Sequence, residues 1–202
     1  MSDLKFSNRI VKRFAETVAA ELGADQFPVM LGLASLPPEW ANTEAFLKMD
    51  ATTSATTYAA LQAAMRGYFG RGARGVLLRV GQRLWDRLLE DGSFGIKAQA
   101  AIIKRLPLNS RRKPAADLLA KILGAQAGDI TVHTLDLDLL LVDHASPSTQ
   151  AQSDSNPICF VTQGLIRESL FWSTGLTVDV EETACKAQGH HACEFKITTG
   201  RK

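Results

Sequence analysis

The sequence has little cysteine, and its three cysteines, Cys159, Cys185 and Cys193, all lie in the last quarter of the chain. An odd number of cysteines does not build the disulfide framework of a small secreted domain. Long apolar runs are also lacking, so no segment predicts a membrane-spanning helix. The N-terminus mixes charges of both signs and has no apolar centre typical of a signal peptide. We therefore expect a cytoplasmic protein whose cysteines either bind a metal or are simply buried.

Charge of one sign is scarce overall but uneven along the chain. The formal net charge is only +2, and a hydrophobic content of 46% with 22% charged residues is ordinary for a folded protein. Residues 66–113 are rich in Lys and Arg, whereas residues 129–182 are rich in acids and contain one Arg. A basic segment can indicate nucleic-acid binding, but no DNA- or RNA-binding motif accompanies it. We favour two solvated faces, or two surfaces that meet within or between subunits.

The first part of the chain has the periodicity of helices. Apolar residues recur at helical spacing, and Pro or Gly interrupts the pattern between segments. The predicted helices are Leu4 to Leu22, a short one within Asp25 to Trp40, Thr53 to Gly67, an amphipathic one from Leu77 to near Gly92, and residues 94–106 and 114–124. The segment GRGARG, from Gly70 to Gly75, fits G-x-G-x-x-G, but a helix and not a strand precedes it, which argues against dinucleotide binding.

The pattern changes at Gly128. Residues 129–143 are β-branched and apolar, which predicts one long strand or two short ones. After a polar loop, Asn156 and Pro157 predict the start of a helix that ends at Gly175. Alternation over residues 176–183 and 193–197 predicts a closing hairpin. The carboxy-terminal part is therefore strand, loop, helix and hairpin.

The cysteines fall at chemically suggestive places in this arrangement. Cys159 would lie in the first turn of a helix, where the helix dipole favours a thiolate. Cys185 and Cys193 flank the hairpin turn. Glu182 is the best fourth ligand, since alternation places its carboxylate on an apolar face, where it is costly unless paired or bound to metal. An undistorted strand would point Cys185 to the other face, so the chain would have to bend near Ala184.

Two alternatives remain open from spacing alone. His190 and His191 are rival ligands, because imidazole suits zinc well. The three cysteines could also be ordinary core residues, since their spacing is not a paired C-x-x-C zinc signature.

Three segments resemble the 4-vinyl reductase domain family. VDVEETACKAQGHHACEFKI looks like its carboxy-terminal strand, E-x-x-C, Gly-centred turn and C-x-F. PICFVTQGLIRESLFWSTG resembles the preceding helix with its early cysteine, and GRGARGVLLRVGQRLWDRLL resembles the Gly-rich start and long helix of the middle region. The resemblance covers roughly residues 60–198.

The resemblance implies a fold, a metal and a ligand. The fold would be α/β of the α+β kind, with an antiparallel sheet packed against helices, similar to the haem-based nitric-oxide-sensing fold and preceded by a helical region. The metal would be a structural zinc ion, held in zinc-bearing members by three cysteines and a glutamate, which match Cys159, Glu182, Cys185 and Cys193. Residues 56–202 would form the ligand-binding domain, and residues 1–55 a helical cap or dimerisation element of a homodimer.

The function that the resemblance implies is binding of a small hydrophobic or aromatic molecule in an apolar pocket. We favour a binding protein over an enzyme, because the sequence shows no catalytic constellation, open metal site or cofactor loop. One alternative is tetrapyrrole (bacteriochlorophyll) biosynthesis, as a vinyl reductase or a precursor-binding accessory. Another is a stand-alone ligand-sensing module: relatives carry an ATPase and a DNA-binding domain after this one, whereas this sequence ends at Lys202, so we expect it to act through a partner.

Four residues are candidates for the ligand pocket: Trp85, Phe171, Trp172 and His133. The three aromatic side chains could line a pocket or fill the core. His133 could contact a ligand or stand at a sheet edge. The sequence identifies neither the ligand nor the oligomeric state.

Overall fold

The structure, a computed structural model, describes residues 4–199 and consists of helices followed by a small sheet. Residues 1–3 of the predicted amino-terminal element and residues 200–202 lie outside the described part. The α-helices are α1 (Asn8–Leu22), α2 (Gln26–Leu33), α3 (Ala51–Phe69), α4 (Ala73–Glu90), α5 (Phe94–Arg105), α6 (Arg112–Leu123) and α7 (Phe160–Thr174). Short 3₁₀ turns connect several of them, including Pro147–Thr149 before α7.

Capping residues in the sequence explain where several helices begin and end. Asp50 precedes α3, and its carboxylate accepts the backbone N–H groups of Thr52 and Thr53 at 2.9 and 2.8 Å. Gly175 ends α7 in the left-handed conformation, with φ of 72°, and its N–H donates to Phe171. The predicted stop at Gly175 is therefore confirmed.

Four antiparallel strands form the sheet: β1 (Ile130–Leu135), β2 (Asp138–Asp143), β3 (Asp179–Ala184) and β4 (Cys193–Thr198). Their order is β1-β2-β4-β3, so α7 crosses from one side of the sheet to the other before β3 begins. Residues 129–143 are two short strands, because Asp136 adopts φ of 53° and reverses the chain between them. The predicted α+β architecture, with an antiparallel sheet beside helices, is confirmed.

Two predicted helix starts need correction. The first helix begins at Asn8 and not at Leu4, because the backbone N–H of Phe6 pairs with the carbonyl of Ala51. The helix before the hairpin begins at Phe160, three residues after Pro157. There the N–H of Cys159 donates to a side chain from β3, which holds the preceding residues out of the helix. Cys159 is therefore the N-cap residue and does not lie in the first turn.

A single cluster of buried apolar side chains joins the amino-terminal helices to the sheet. Phe14 of α1 stands edge-on against Tyr58 of α3, with ring centroids 4.7 Å apart. The helices α4 and α7 approach most closely at Gly81 and Gly164, whose Cα atoms meet without side chains between them: a Cβ on either glycine would lie 3.0 Å from the Cα of the other. The helix pair and the sheet therefore share one interior.

The basic stripe on α4 meets acids of α1. Arg79 and Arg83 contact the Glu21 carboxylate at 2.7 and 2.6 Å, and Arg87 lies 3.6 Å from Glu16. Part of the positive charge in residues 66–113 is thus paired inside the chain. In the part of the chain that the structure describes, no helix is both long enough and apolar enough to cross a membrane.

Candidate metal centre

Three thiols and one carboxylate converge between the start of α7 and the β3–β4 hairpin. The ligand atoms of Cys159, Glu182, Cys185 and Cys193 all lie within 4.8 Å of one another, and all four residues are buried. The Sγ atom of Cys159 is 3.6 Å from that of Cys193 and 4.0 Å from that of Cys185. The structure therefore brings together the four residues that the sequence suggested as metal ligands, as a cluster that could hold a metal ion.

Local irregularities in the backbone make this convergence possible. The pairing of β3 with β4 shifts register between Glu182 and Ala184, so Glu182 pairs with Phe195 while Ala184 pairs with Glu194. The irregularity falls where the sequence required a bend, and it lets the side chains of Glu182 and Cys185 face the same interior. Beyond Cys185 the chain turns through Gly189, whose φ of 92° suits glycine.

Glu182 has one oxygen bound and one oxygen free. Its Oε2 atom accepts the backbone N–H of Cys159 at 2.9 Å and lies 3.5 Å from Nε2 of Gln163. Its Oε1 atom is buried and has no hydrogen-bond partner among the described residues. Burial raises the pKa of this carboxyl to about 8. A buried carboxylate oxygen without a partner is costly, and a cation would satisfy it.

The thiols share their protons unequally. Hydrogen bonds from Cys159 and Cys193 hold the pKa of Cys185 far below its ordinary value. Hydrogen bonds toward Cys185 and Cys193, together with burial, raise the pKa of Cys159 well above its ordinary value. The group thus supports one thiolate while its neighbours keep their protons. A divalent cation at the centre would favour ionisation of all of them.

The chemistry of these donors fits zinc. Zinc in structural sites takes four ligands in a tetrahedron, from cysteine, histidine and carboxylate. Three sulfurs and one oxygen complete that number and leave no position for water or substrate. Such a centre fastens parts of the chain together and does not itself carry out a reaction.

Two further side chains border the cluster that sequence reasoning did not identify. The Ser146 hydroxyl lies 3.0 Å from the Cys193 sulfur, and Asp143 accepts the Ser146 N–H at 2.6 Å. Burial raises the pKa of Asp143 to about 6. The dipeptide Ser146–Pro147 is a turn signal, but nothing in the sequence places that turn against the cysteines. His190 and His191 are exposed and lie outside the group of ligand atoms.

The residues predicted to line a ligand pocket lie in different surroundings. Trp85 is fully buried and packs edge-on against Trp172, with ring centroids 5.6 Å apart. Phe171 is 46% exposed and borders a cleft of about 280 Å³ beside α7. His133 is exposed on β1, where its ring lies 3.0 Å from the Thr131 hydroxyl. The structure thus brings Trp85 and Trp172 together, places Phe171 at a nearby surface of α7, and leaves His133 on the outer strand.

The order of helices and sheet is that of the H-NOX fold. The chain superposes on an H-NOX protein from S. oneidensis in the Fe(II)NO state with a TM-score of 0.54 and 13% identity, covering 96% of this chain and 99% of that one. An Fe(II) unliganded H-NOX mutant from K. algicida gives 0.57 and 14%, with 97% of each chain covered. An oxygen-binding H-NOX domain related to soluble guanylate cyclases gives 0.52 and 13%, covering 95% and 92%. The likeness confirms the predicted fold.

The haem group of such proteins does not fit the residues found here. All four histidines of the chain, His133, His144, His190 and His191, are exposed, so no imidazole lies in the interior to ligate a haem iron. The three buried cysteines already face one another in the cluster. The chain shares the fold without offering a histidine-ligated haem site.

The family model for the 4-vinyl reductase domain matches residues 144–199. This segment contains all four residues of the cluster as well as Ser146, so the match confirms the 4-vinyl reductase resemblance for the part of the chain that carries the site. No curated protein matches the chain significantly.

Proposed function

We propose that this chain is a binding protein whose 4-vinyl reductase segment, residues 144–199, holds one structural zinc ion through Cys159, Glu182, Cys185 and Cys193. The observation that carries the proposal is the set of four buried ligand atoms within 4.8 Å of one another. The unpartnered Oε1 atom of Glu182 supports it independently. The ion would fasten the start of α7 to the β3–β4 hairpin.

The ligand that we propose is a small hydrophobic or aromatic molecule. The observation that favours a ligand is the Trp85 indole N–H, which is buried and has no hydrogen-bond partner in residues 4–199. Indole N–H groups in an interior usually find an acceptor. An oxygen atom on a bound phenol or carbonyl compound would supply one.

The nearby cleft gives this ligand an entry. It is lined by Gln82, Arg167, Glu168, Phe171, Thr177 and Val178, and it combines an aromatic side chain with polar groups. Its volume, about 280 Å³, lies near the lower end for small-molecule sites, roughly 300–1,000 Å³. Trp172, which packs on Trp85, lies next to Phe171 in the chain. We therefore propose that small aromatic molecules enter here and reach the Trp85–Trp172 pair.

Metal analysis of the purified protein tests the zinc site. We expect about one zinc per chain, retained through gel filtration without added metal. Protein with intact thiols and no stoichiometric metal, even after incubation with zinc, would end this proposal.

Native mass spectrometry of protein from its own host tests the ligand and the subunit count together. We expect a bound aromatic or hydrophobic mass in addition to zinc, and a homodimer. Titration with phenol, followed by tryptophan fluorescence, gives a second test: an unchanged signal from wild type and from Trp85→Phe would count against the proposed entry. Incubation with a divinyl tetrapyrrole and a reductant tests the reductase alternative, since turnover by the protein alone would make it an enzyme.

A further inference from the structure

Ser146 is a buried serine whose hydroxyl points at the sulfur atoms of the cluster. Its side chain is 1% exposed, and its Oγ atom lies 3.0 Å from Sγ of Cys193 and 3.7 Å from Sγ of Cys159. The only other donor to the Cys193 sulfur from outside the cluster is the backbone N–H of Lys186, at 3.3 Å, among the contacts of the described residues. The hydroxyl is therefore a second, side-chain donor on that sulfur.

The backbone around Ser146 is built to hold the hydroxyl in this place. Ser146 adopts φ of 46°, a conformation that residues with a Cβ rarely take. The Asp143 carboxylate accepts its N–H at 2.6 Å, and the Thr149 hydroxyl donates to its carbonyl at 2.8 Å. Asp143 itself stands opposite Cys193 in the pairing of β2 with β4. These contacts fix the serine relative to the strand that carries the cysteine.

Electrostatics determines the direction of the hydrogen bond. Three thiolates and a carboxylate around a divalent cation leave net negative charge in a buried place, which costs free energy unless donors face it. A metal-bound thiolate has lone pairs and no proton, so the hydroxyl must donate. Hydrogen bonds to charged acceptors are stronger than those between neutral groups.

We infer that Ser146 is a positioning residue of the metal centre, and that its hydroxyl donates to the Cys193 thiolate and so strengthens retention of the metal. This inference rests on the proposed zinc site. Partners that hydrogen-bond to metal ligands typically contribute about 10- to 100-fold to metal affinity. Removing the hydroxyl should also make the sulfur more electron-rich, which lowers the energy of sulfur-to-metal charge transfer.

The experiment compares Ser146→Ala with wild type after loading with Co²⁺, a spectroscopic substitute for zinc. We expect the sulfur-to-cobalt absorption band of Ser146→Ala to move to longer wavelength, and its zinc to pass to a chelator about 10- to 100-fold faster than wild-type zinc. Ser148→Ala is the matched control. Ser148 lies in the same turn and is equally buried, but it accepts from Gln62 at 3.2 Å and is not among the recorded contacts of any sulfur. Its band and its release rate should equal those of wild type.

The outcomes separate the two proposals. Wild-type protein that binds neither Co²⁺ nor Zn²⁺ overturns the zinc site and this inference together. Wild-type protein that binds both, with Ser146→Ala giving the same band and release rate, overturns the role of Ser146 alone. Ser146→Gly is the second variant, because glycine accepts the positive φ. If neither variant folds with metal while Ser148→Ala does, Ser146 serves folding and the inference is also wrong.

Discussion

At the scale of single residues, Glu182 and Glu181 provide an internal comparison. They are neighbours on β3, yet Glu182 is buried against the cysteines while Glu181 is exposed. We expect Glu182→Gln to weaken zinc binding by at least about tenfold, because it removes the anionic oxygen of the ligand set. Competition with a coloured chelator measures this change.

Glu181→Gln is the control for this prediction. It removes the same charge one residue away and should leave zinc affinity within about twofold of wild type, since an exposed carboxylate contributes little to a buried site. Equal effects of the two variants would show that only general charge matters and would contradict ligation by Glu182.

Strand alternation was enough to choose between these two glutamates from the sequence. The burial pattern of β3 places Val180 and Glu182 inside and Glu181 outside, as a period of two predicts. Ser146 could not be found in the same way. It is 47 residues from Cys193 in the chain, and its left-handed backbone depends on contacts with Asp143 and Thr149, which only the folded chain supplies.

At the scale of elements, the crossing of α4 and α7 depends on two glycines. A Cβ on Gly81 would overlap the carbonyl oxygen of Val161, and one on Gly164 would overlap that of Leu78. Backbone atoms cannot rotate away, so we expect Gly81→Ala or Gly164→Ala to lower the free energy of unfolding by about 1–3 kcal/mol or more. Chemical denaturation measures the change.

Gly75 is the matched control on α4. The nearest atom to a Cβ at this position is the end of the Arg79 side chain, at 3.8 Å. Gly75→Ala should therefore be neutral or stabilise the protein by up to about 1 kcal/mol, because alanine favours a helix more than glycine does. If Gly81→Ala were equally harmless, the close approach of the two helices would be wrong.

Helix limits show which parts of an element the sequence can predict. The stop of α7 at Gly175 follows from a local rule, because glycine suits the left-handed residue that ends a helix. Its start does not follow from the capping signal at Asn156 and Pro157. The tertiary hydrogen bond from Cys159 to Glu182 replaces that local signal and moves the start to Phe160.

At the scale of the whole molecule, the proposed metal stabilises the fold by mass action. Binding to the folded state alone adds about 4 kcal/mol when free zinc is 1,000 times its dissociation constant. For a chain of 202 residues we therefore expect chelation to lower the melting temperature by about 10 °C. Re-addition of zinc should restore it, and Cys193→Ser should hardly respond to the chelator. A wild-type melting temperature that ignores both chelator and zinc would contradict a structural ion.

The predicted division of the chain at residue 55 remains a proposal, and the continuous core gives it a test. Phe14 of α1 is fully buried and packs on Tyr58 of α3, beyond that boundary. We expect Phe14→Ala to lower the free energy of unfolding by about 3–5 kcal/mol. Because the amino-terminal helices share their core with the elements around the cluster, zinc release and tryptophan fluorescence should report one common transition that moves to lower temperature. Phe94→Ala is the control: this side chain is 89% exposed, so stability should change by less than about 0.5 kcal/mol. If Phe14→Ala produced an early fluorescence transition while zinc release kept its wild-type temperature, residues 1–55 would be a separable cap; a common shift would make them part of the domain that holds the metal.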